Sequence, residues 1–341
     1  MRTTSILHRL AIGGLALFAT GTVAHAQSPN FWQQDSFADG PAEFSGMPSV
    51  TYASPDDTVR INAAIGAMYL EGNEKVLNGN FTVSHLIWQT RTPVLRGSVA
   101  VDFGGGFSGG LEGSTAGFGS SYMEDYDWLR GDDTFANWSH RSQHPDTRLD
   151  HYFTGAASLG YELLNDDSAV IRAHAGFKYT DVQWTAYGGT YLYSNPGFRD
   201  TPGTIPDGVA GVTYRQQLPE LFIGFDGEEQ YGAFSVGGLL RGGVTFLSMA
   251  TDNHYLRLPV PLRFVDSIYM APTVTVGANV GFALGRNAKL TLAARYDHIF
   301  EQRGDVKEYN ATTGALIGDF VGAAGAALRS AEITAGVQGS F

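Results

Sequence analysis

From residue 58 to its last residue the chain keeps returning to one pattern, short runs in which apolar and polar residues alternate. Along 267–282, Ile268, Met270, Val274, Val276, Val280 and Phe282 fall on one face, and Ser267, Thr273, Thr275, Gly277 and Asn279 on the other. After the turn-like Gly285-Arg286-Asn287-Ala288, Leu290, Leu292, Ala294 and Tyr296 alternate with Thr291, Ala293, Arg295 and Asp297. The last run sets Ile333, Ala335, Val337 and Phe341 against Glu332, Thr334, Gln338 and Ser340. A period of two belongs to extended strands. An apolar face backed by Arg, Asp, Glu and Thr suits lipid outside and a polar interior. A soluble sandwich is the other home for such strands, with the apolar face in a core between two sheets.

Ten segments of this kind are expected, near 58–72, 80–91, 93–108, 149–165, 168–187, 212–226, 229–249, 266–284, 287–301 and 328–341. Short turns are expected at Asn165-Asp166-Asp167, Gly227-Glu228 and Gly285-Arg286-Asn287, and long polar connections at 109–148, 188–211, 250–265 and 302–327. Short turns on one rim and long loops on the other are the plan of a bacterial outer-membrane barrel. An even strand number closes the sheet and leaves no edge. The expected fold is therefore all-β, a ten-stranded antiparallel transmembrane β-barrel with long extracellular loops.

The N-terminus reads as a secretory signal peptide over 1–26. Arg2 and Arg9 precede an apolar run from Leu10 to Val23, and Ala24-His25-Ala26 fits small-residue cleavage. Residues 27–57, with Pro29, Pro41, Pro48 and Pro55, read as a periplasmic lead-in, and 58–341 as the barrel. Loss of Arg2 and Arg9 with the leader takes the formal charge of −12 to −14. Such acidity speaks against nucleic acid as a partner and is compatible with cationic ones, though solubility alone also accounts for it. The chain has no cysteine, which excludes a thiol nucleophile, a thiolate metal site and a redox pair. It carries 44 glycines, 21 phenylalanines and 16 tyrosines, a composition that suits close-packed strands and aromatic girdles.

Two short motifs carry chemistry. In Asp125-Tyr126-Asp127-Trp128, residues two apart on a strand place both carboxylates on one side. In Asp252-Asn253-His254, the same spacing gives an Asp–His pair. Asp252 can fix the tautomer of His254 and raise its basicity, so that His254 takes a proton from water. Asp125 and Asp127 are like charges at close range, so one of them should hold a proton. Read alone, each motif is more often solvated loop acid than catalytic, and three carboxylates with a histidine would also suit an oxygen-rich metal site.

The neighbouring residues add a resemblance. Asp125-Tyr126-Asp127-Trp128, then Trp138 and His144-Pro145-Asp146-Thr147, then Gly188-Gly189-Thr190-Tyr191-Leu192-Tyr193-Ser194 with Gly197-Phe198-Arg199-Asp200, then Asp252-Asn253-His254-Tyr255, stand in the order found in the omptin family of outer-membrane proteases. The chain resembles that family along most of its length after the leader. The resemblance implies a ten-stranded barrel, an active site in a groove on the extracellular rim, and an endopeptidase that uses an activated water with no metal and no cofactor. By it, Asp252 and His254 would activate the water, Asp125 and Asp127 would oppose them, and His144 would lie close by.

Departures from the family limit what carries over. Omptins hold a basic residue of the substrate with two acids. Glu74 matches one of these, and the other falls on Ala250. Preference for basic residues is therefore expected to be relaxed. His140 stands where the next subsite has an acid, so Glu74, Ala250 and His140 form the expected substrate-binding set. The outward arginines that help enteric members bind lipopolysaccharide match Asp181 and Gln217, and an acidic Asp181 is expected to repel lipid phosphate. Two other classes remain open at this point. One is a passive porin or adhesin, with Arg295, Asp297 and Glu332 lining or plugging the lumen; the other is a catalytically silent relative used for binding.

Overall fold

Backbone hydrogen bonds run from strand to strand until the last meets the first, so no sheet edge is left open. The computed structural model describes residues 58–166, 168–257 and 259–341. The leader and the whole of the lead-in, 27–57, fall outside the described residues. Thirteen strands form one antiparallel sheet: β1 (Val59–Asn78), β2 (Phe81–Gly104), β3 (Phe107–Ala116), β4 (Ser120–Asp127), β5 (His140–Asn165), β6 (Ala169–Tyr193), β7 (Thr201–Tyr231), β8 (Phe234–Thr245), β9 (Ser248–His254), β10 (Leu262–Ile268), β11 (Pro272–Ala283), β12 (Ala288–Asn310) and β13 (Leu316–Ser340). A 3-10 turn at Phe135–Asn137 is the sole helical element among the described residues.

Three pairs of strands are single staves interrupted by a kink. β3 and β4 both lie between β2 and β5, β8 and β9 both pair with β7, and β10 and β11 both pair with β12. The ring therefore has ten staves. The expected number is right, but its parts differ. Segments 80–91 and 93–108 are one strand, because Pro93 pairs with Ala67 without interrupting the ladder. The stave β3–β4 lies in what sequence patterning reads as a loop. The turn expected at Gly227-Glu228 instead falls at Gly232-Ala233, and β7 runs unbroken through Gly227.

Most of the expected long loops are also strand. Their polarity marks sheet that rises above the lipid rather than irregular chain. Outward-facing Ile65, Leu111, Leu159, Ile223, Val280 and Ile333 are all exposed and form an apolar belt. The belt sits toward the rim that carries the short turns. Above it, β1, β2, β4–β7, β9, β10, β12 and β13 continue as a polar extension. A phase change accompanies one kink. Ile268 points inward, whereas Met270 and Val276 point outward, because the unpaired residues between β10 and β11 slip the pleat by one position.

Inside the belt, the lumen is plugged with paired charge. Arg96 reaches Glu112 at 3.3 Å and Glu332 at 2.5 Å, Arg295 reaches Asp297 at 2.7 Å, and Lys178 bridges Glu220 at 2.7 Å and Asp297 at 3.2 Å. A ten-stranded barrel is narrow enough for side chains to fill it. Between this plug and the upper rim lies an aromatic floor. Trp88 stacks on Trp184 at 6.0 Å and on Tyr214 at 5.8 Å, with Leu70, Leu86 and Met123 buried around them.

Candidate active site

The two motifs end up on strands, not loops. Asp125 and Asp127 lie on β4, and Asp252 and His254 close β9. Strand placement fixes their direction more tightly than a loop would. Register then supplies neighbours that no local motif reveals. Ser84 on β2 lies opposite Asp127 and donates from Oγ to Asp125 Oδ1 at 3.1 Å. His140 on β5 lies on the other side of Asp127. The His140 ring packs on Tyr193 at 4.8 Å, and its Nδ1 meets Ser139 Oγ at 3.0 Å.

Asp252 is buried and forms an ion pair with His254 Nε2. With Nε2 committed to Asp252, Nδ1 is the ring nitrogen left to accept a proton. Phe264 meets the imidazole edge-on at 5.5 Å and restrains the ring. Burial opposes charge on His254, yet Asp252 overrides it and raises the pKa above the ordinary 6.5. His254 also feels Asp125, and Asp125 feels His254, which places the two motifs across one groove.

Burial, reinforced by Asp127, pushes the Asp125 carboxyl up to about 7. Burial likewise raises Asp127, while Arg257 and Ser84 hold it back. The pair therefore keeps a proton into the neutral range.

His144 is buried beside this groove. Its Nδ1 donates to the Gly188 carbonyl at 2.6 Å, so Nε2 accepts from Ser142 Oγ at 2.9 Å. Gly188 and Gly189 both have positive φ, and a Cβ on Gly189 would strike the Gln143 carbonyl. The glycine pair thus exists to present a carbonyl to His144. Burial lowers the His144 pKa, so it stays neutral and acts as a brace. The other family-like elements are fasteners too. Arg199 lies 3.6 Å over the Trp138 ring and donates to the Trp138 and Ala136 carbonyls. Asp200 accepts from the backbone of Asn195 and Gly197.

On the groove floor, Glu74 and Ala250 are both buried. Burial raises the Glu74 pKa well above the usual carboxylate range, and the charges of Asp252 and Asp266 add to this. Asp266, which no sequence motif marks, is buried directly across the β9–β10 ladder from Ala250. Its own pKa is raised well above normal by burial and by Asp252. No group of three or more acids or histidines among the described residues is spaced to hold a metal ion. The cavity of about 330 Å³ lies elsewhere, in the lower lumen around Arg172, His174 and Lys289.

Asp181 does not face lipid as a bare acid. Arg215 donates to it from Nε at 2.8 Å, and His151 lies at 3.0 Å. Gln217 donates to the Tyr179 hydroxyl at 2.9 Å.

Comparison with known proteins matches residues 55–341 to the model of the Omptin family. Protease 7 of Escherichia coli K12 is 26% identical over 269 residues, covering 76% of this chain and 83% of that protein. The plasminogen activator of Yersinia pestis is 25% identical over 306 residues, covering 89% and 95%. The crystal structure of the outer membrane protease OmpT from Escherichia coli superposes with a TM-score of 0.77 at 25% identity, covering 86% of this chain and all of that one.

Proposed function

The chain belongs to the omptin family of outer-membrane proteases, and from that premise we propose that it is an endopeptidase in which His254, oriented by Asp252, activates water for attack on a peptide carbonyl. The observation that carries the reading is the buried Asp252–His254 pair within electrostatic reach of the proton-sharing Asp125 and Asp127. His254 Nδ1 takes a proton as the water oxygen bonds to the carbonyl carbon. The carboxyl of the Asp125–Asp127 pair that keeps its proton donates a hydrogen bond to the developing oxyanion. His254 then returns its proton to the amine as the C–N bond breaks. No metal or covalent acyl-enzyme enters this sequence. Substrates are cationic peptides or exposed protein loops, drawn to the acidic rim on the outside of the cell.

The lipid environment is bulk rather than a cofactor in this proposal. With Asp181 committed to Arg215, activity does not depend on a lipopolysaccharide phosphate at that position. Activity that vanishes on delipidation and returns only with added lipopolysaccharide would remove this part of the proposal.

The test of the main proposal is digestion of a mixed peptide library by refolded protein in EDTA, beside His254→Ala. Cleavage that survives EDTA and disappears in the variant is the expected result. Cleavage abolished by EDTA, or retained by the variant, would overturn the mechanism. The plug of paired charge in the lumen disfavours the porin alternative, which predicts steady conductance in a planar bilayer.

A further inference from the structure

Ala250 sits two residues before Asp252 on the same inward face of β9. It pairs with Gln216 of β7 on one side and with Asp266 of β10 on the other. All three are almost fully buried, at 0% exposure for Gln216, 1% for Ala250 and 3% for Asp266. The small Ala250 side chain lies between two larger polar ones. Glu74 reaches the same place from β1. It is 3% exposed, and its carboxyl feels the charges of both Asp252 and Asp266. Gln216 ties this cluster to β1 by donating to the Asn73 carbonyl at 3.3 Å.

Two buried acceptor oxygens, Gln216 Oε1 and Asp266 Oδ1, meet no donor among the described residues, and beside them Glu74 and Asp252 hydrogen-bond acid to acid. A buried acceptor without a donor is costly, and such groups rarely occur together. The belt lumen of the same barrel shows that this chain pairs its buried acids where their purpose is structural. The groove floor is therefore shaped for a donor-rich cation that arrives from outside. A guanidinium, with five N–H groups in a plane, suits such a cluster of oxygens better than any neutral side chain.

We propose that Asp266, with Glu74, forms the carboxylate pair that receives the basic side chain of the substrate, Asp266 supplying from β10 the acid that β9 lacks at Ala250. The acid has moved one strand across the ladder, and the pocket keeps two carboxyl groups, which release their protons when a guanidinium enters. The inference rests on the groove being the peptide-binding site of the protease proposed above. It replaces the expectation of relaxed specificity with one of retained preference for arginine.

The test uses agmatine, a guanidinium on a short alkyl chain, titrated calorimetrically into the detergent-solubilised full barrel. The same preparations are offered peptides that differ only in carrying arginine or norleucine before the scissile bond. Wild type is expected to bind agmatine and to favour the arginine peptide through KM. Asp266→Asn is expected to lower agmatine affinity and the arginine-to-norleucine ratio of kcat/KM by roughly 100-fold. The double variant Ala250→Asp, Asp266→Ser, which keeps the number of acids, should recover most of that loss, and it carries the test if Asp266→Asn does not fold. Agmatine bound equally by wild type and Asp266→Asn, not bound by wild type, or not recovered by the double variant would overturn the inference. Agmatine binding without cleavage of any peptide would leave the pocket standing and sink the protease reading. Cleavage after norleucine with no agmatine binding would do the reverse.

Discussion

Glu112 in the belt lumen lies among three arginines: Arg96 at 3.3 Å, Arg295 at 3.1 Å, and Arg241 in direct contact. Glu74 and Asp266 in the groove above are more deeply buried, yet neither forms an ion pair with a lysine or arginine among the described residues. One barrel thus handles buried acid in two ways. In the lumen, charges are matched and hydrogen-bonded, which converts a desolvation cost into a rigid plug. In the groove, acids are left mutually repelling, which holds protons on carboxyls at neutral pH and leaves acceptors for a ligand. Burial alone therefore does not separate structure from function; compensation does.

Three perturbations sharpen this contrast, in falling order of effect. His254→Ala removes the proton acceptor and should lower kcat/KM by about 10³- to 10⁴-fold, toward the upper end of what general-base catalysis contributes. Its denaturant midpoint should stay near wild type, so that the loss is one of chemistry and not of folding. Glu112→Gln breaks the lumen plug and takes the carboxylate from Arg241, while Arg96 and Arg295 keep Glu332 and Asp297. Unfolding in urea should report a loss of roughly 3–5 kcal/mol, while the folded fraction keeps its kcat/KM. A large activity loss at unchanged stability would mean that the lumen shapes the groove directly.

The third perturbation acts on pH. His254 must be neutral to accept a proton, and Asp252 raises its pKa above 6.5. The rate should therefore climb with pH on a limb that lies above 6.5. In Asp252→Asn the largest raising charge is gone, leaving burial and Arg257 against Asp125, so the limb should move to lower pH, with a lower plateau from the lost orientation. A limb that stays in place would assign it to another group.

The barrel was legible because lipid outside and charge inside force an alternation that any strand must show. Residues 287–301 and 328–341 carry it without interruption, and β12 and β13 pair through both stretches. The kinks were not legible. At Gly119 and Leu247 the chain takes positive φ and the stave breaks without changing its course, so a continuous stave looks like a strand and a loop. The extension above the belt hid for another reason. Its outer face meets water instead of lipid, and its polar residues look like loop. The positions of Asp125, Asp127, Asp252 and His254 were readable from their spacing and surroundings, but their partners were not. Ser84 lies 41 residues from Asp125 in the chain, and Asp266 meets Ala250 only through the β9–β10 register. Cross-strand pairing leaves no short-range signal, so the groove floor becomes visible only when the sheet is closed.

Asp125 offers the most direct test, because the account asks it to work at a cost to the fold. Its pKa rises from 3.8 to about 7 on folding. A carboxyl that holds its proton more tightly when folded contributes most stability below the unfolded value, and that contribution is lost as pH rises through this window. Asp125→Asn cannot ionise, and its amide oxygen can still accept from Ser84. The measurement is urea unfolding and kcat/KM for an arginine peptide on the same samples of wild type and Asp125→Asn, from pH 4 to pH 8. The account predicts that the variant is more stable than wild type at pH 8 by on the order of 1–4 kcal/mol, that this advantage vanishes by pH 4, and that its activity is lower by at least about 10²-fold. A variant that is less stable at pH 8, or that cleaves as fast as wild type, would contradict it.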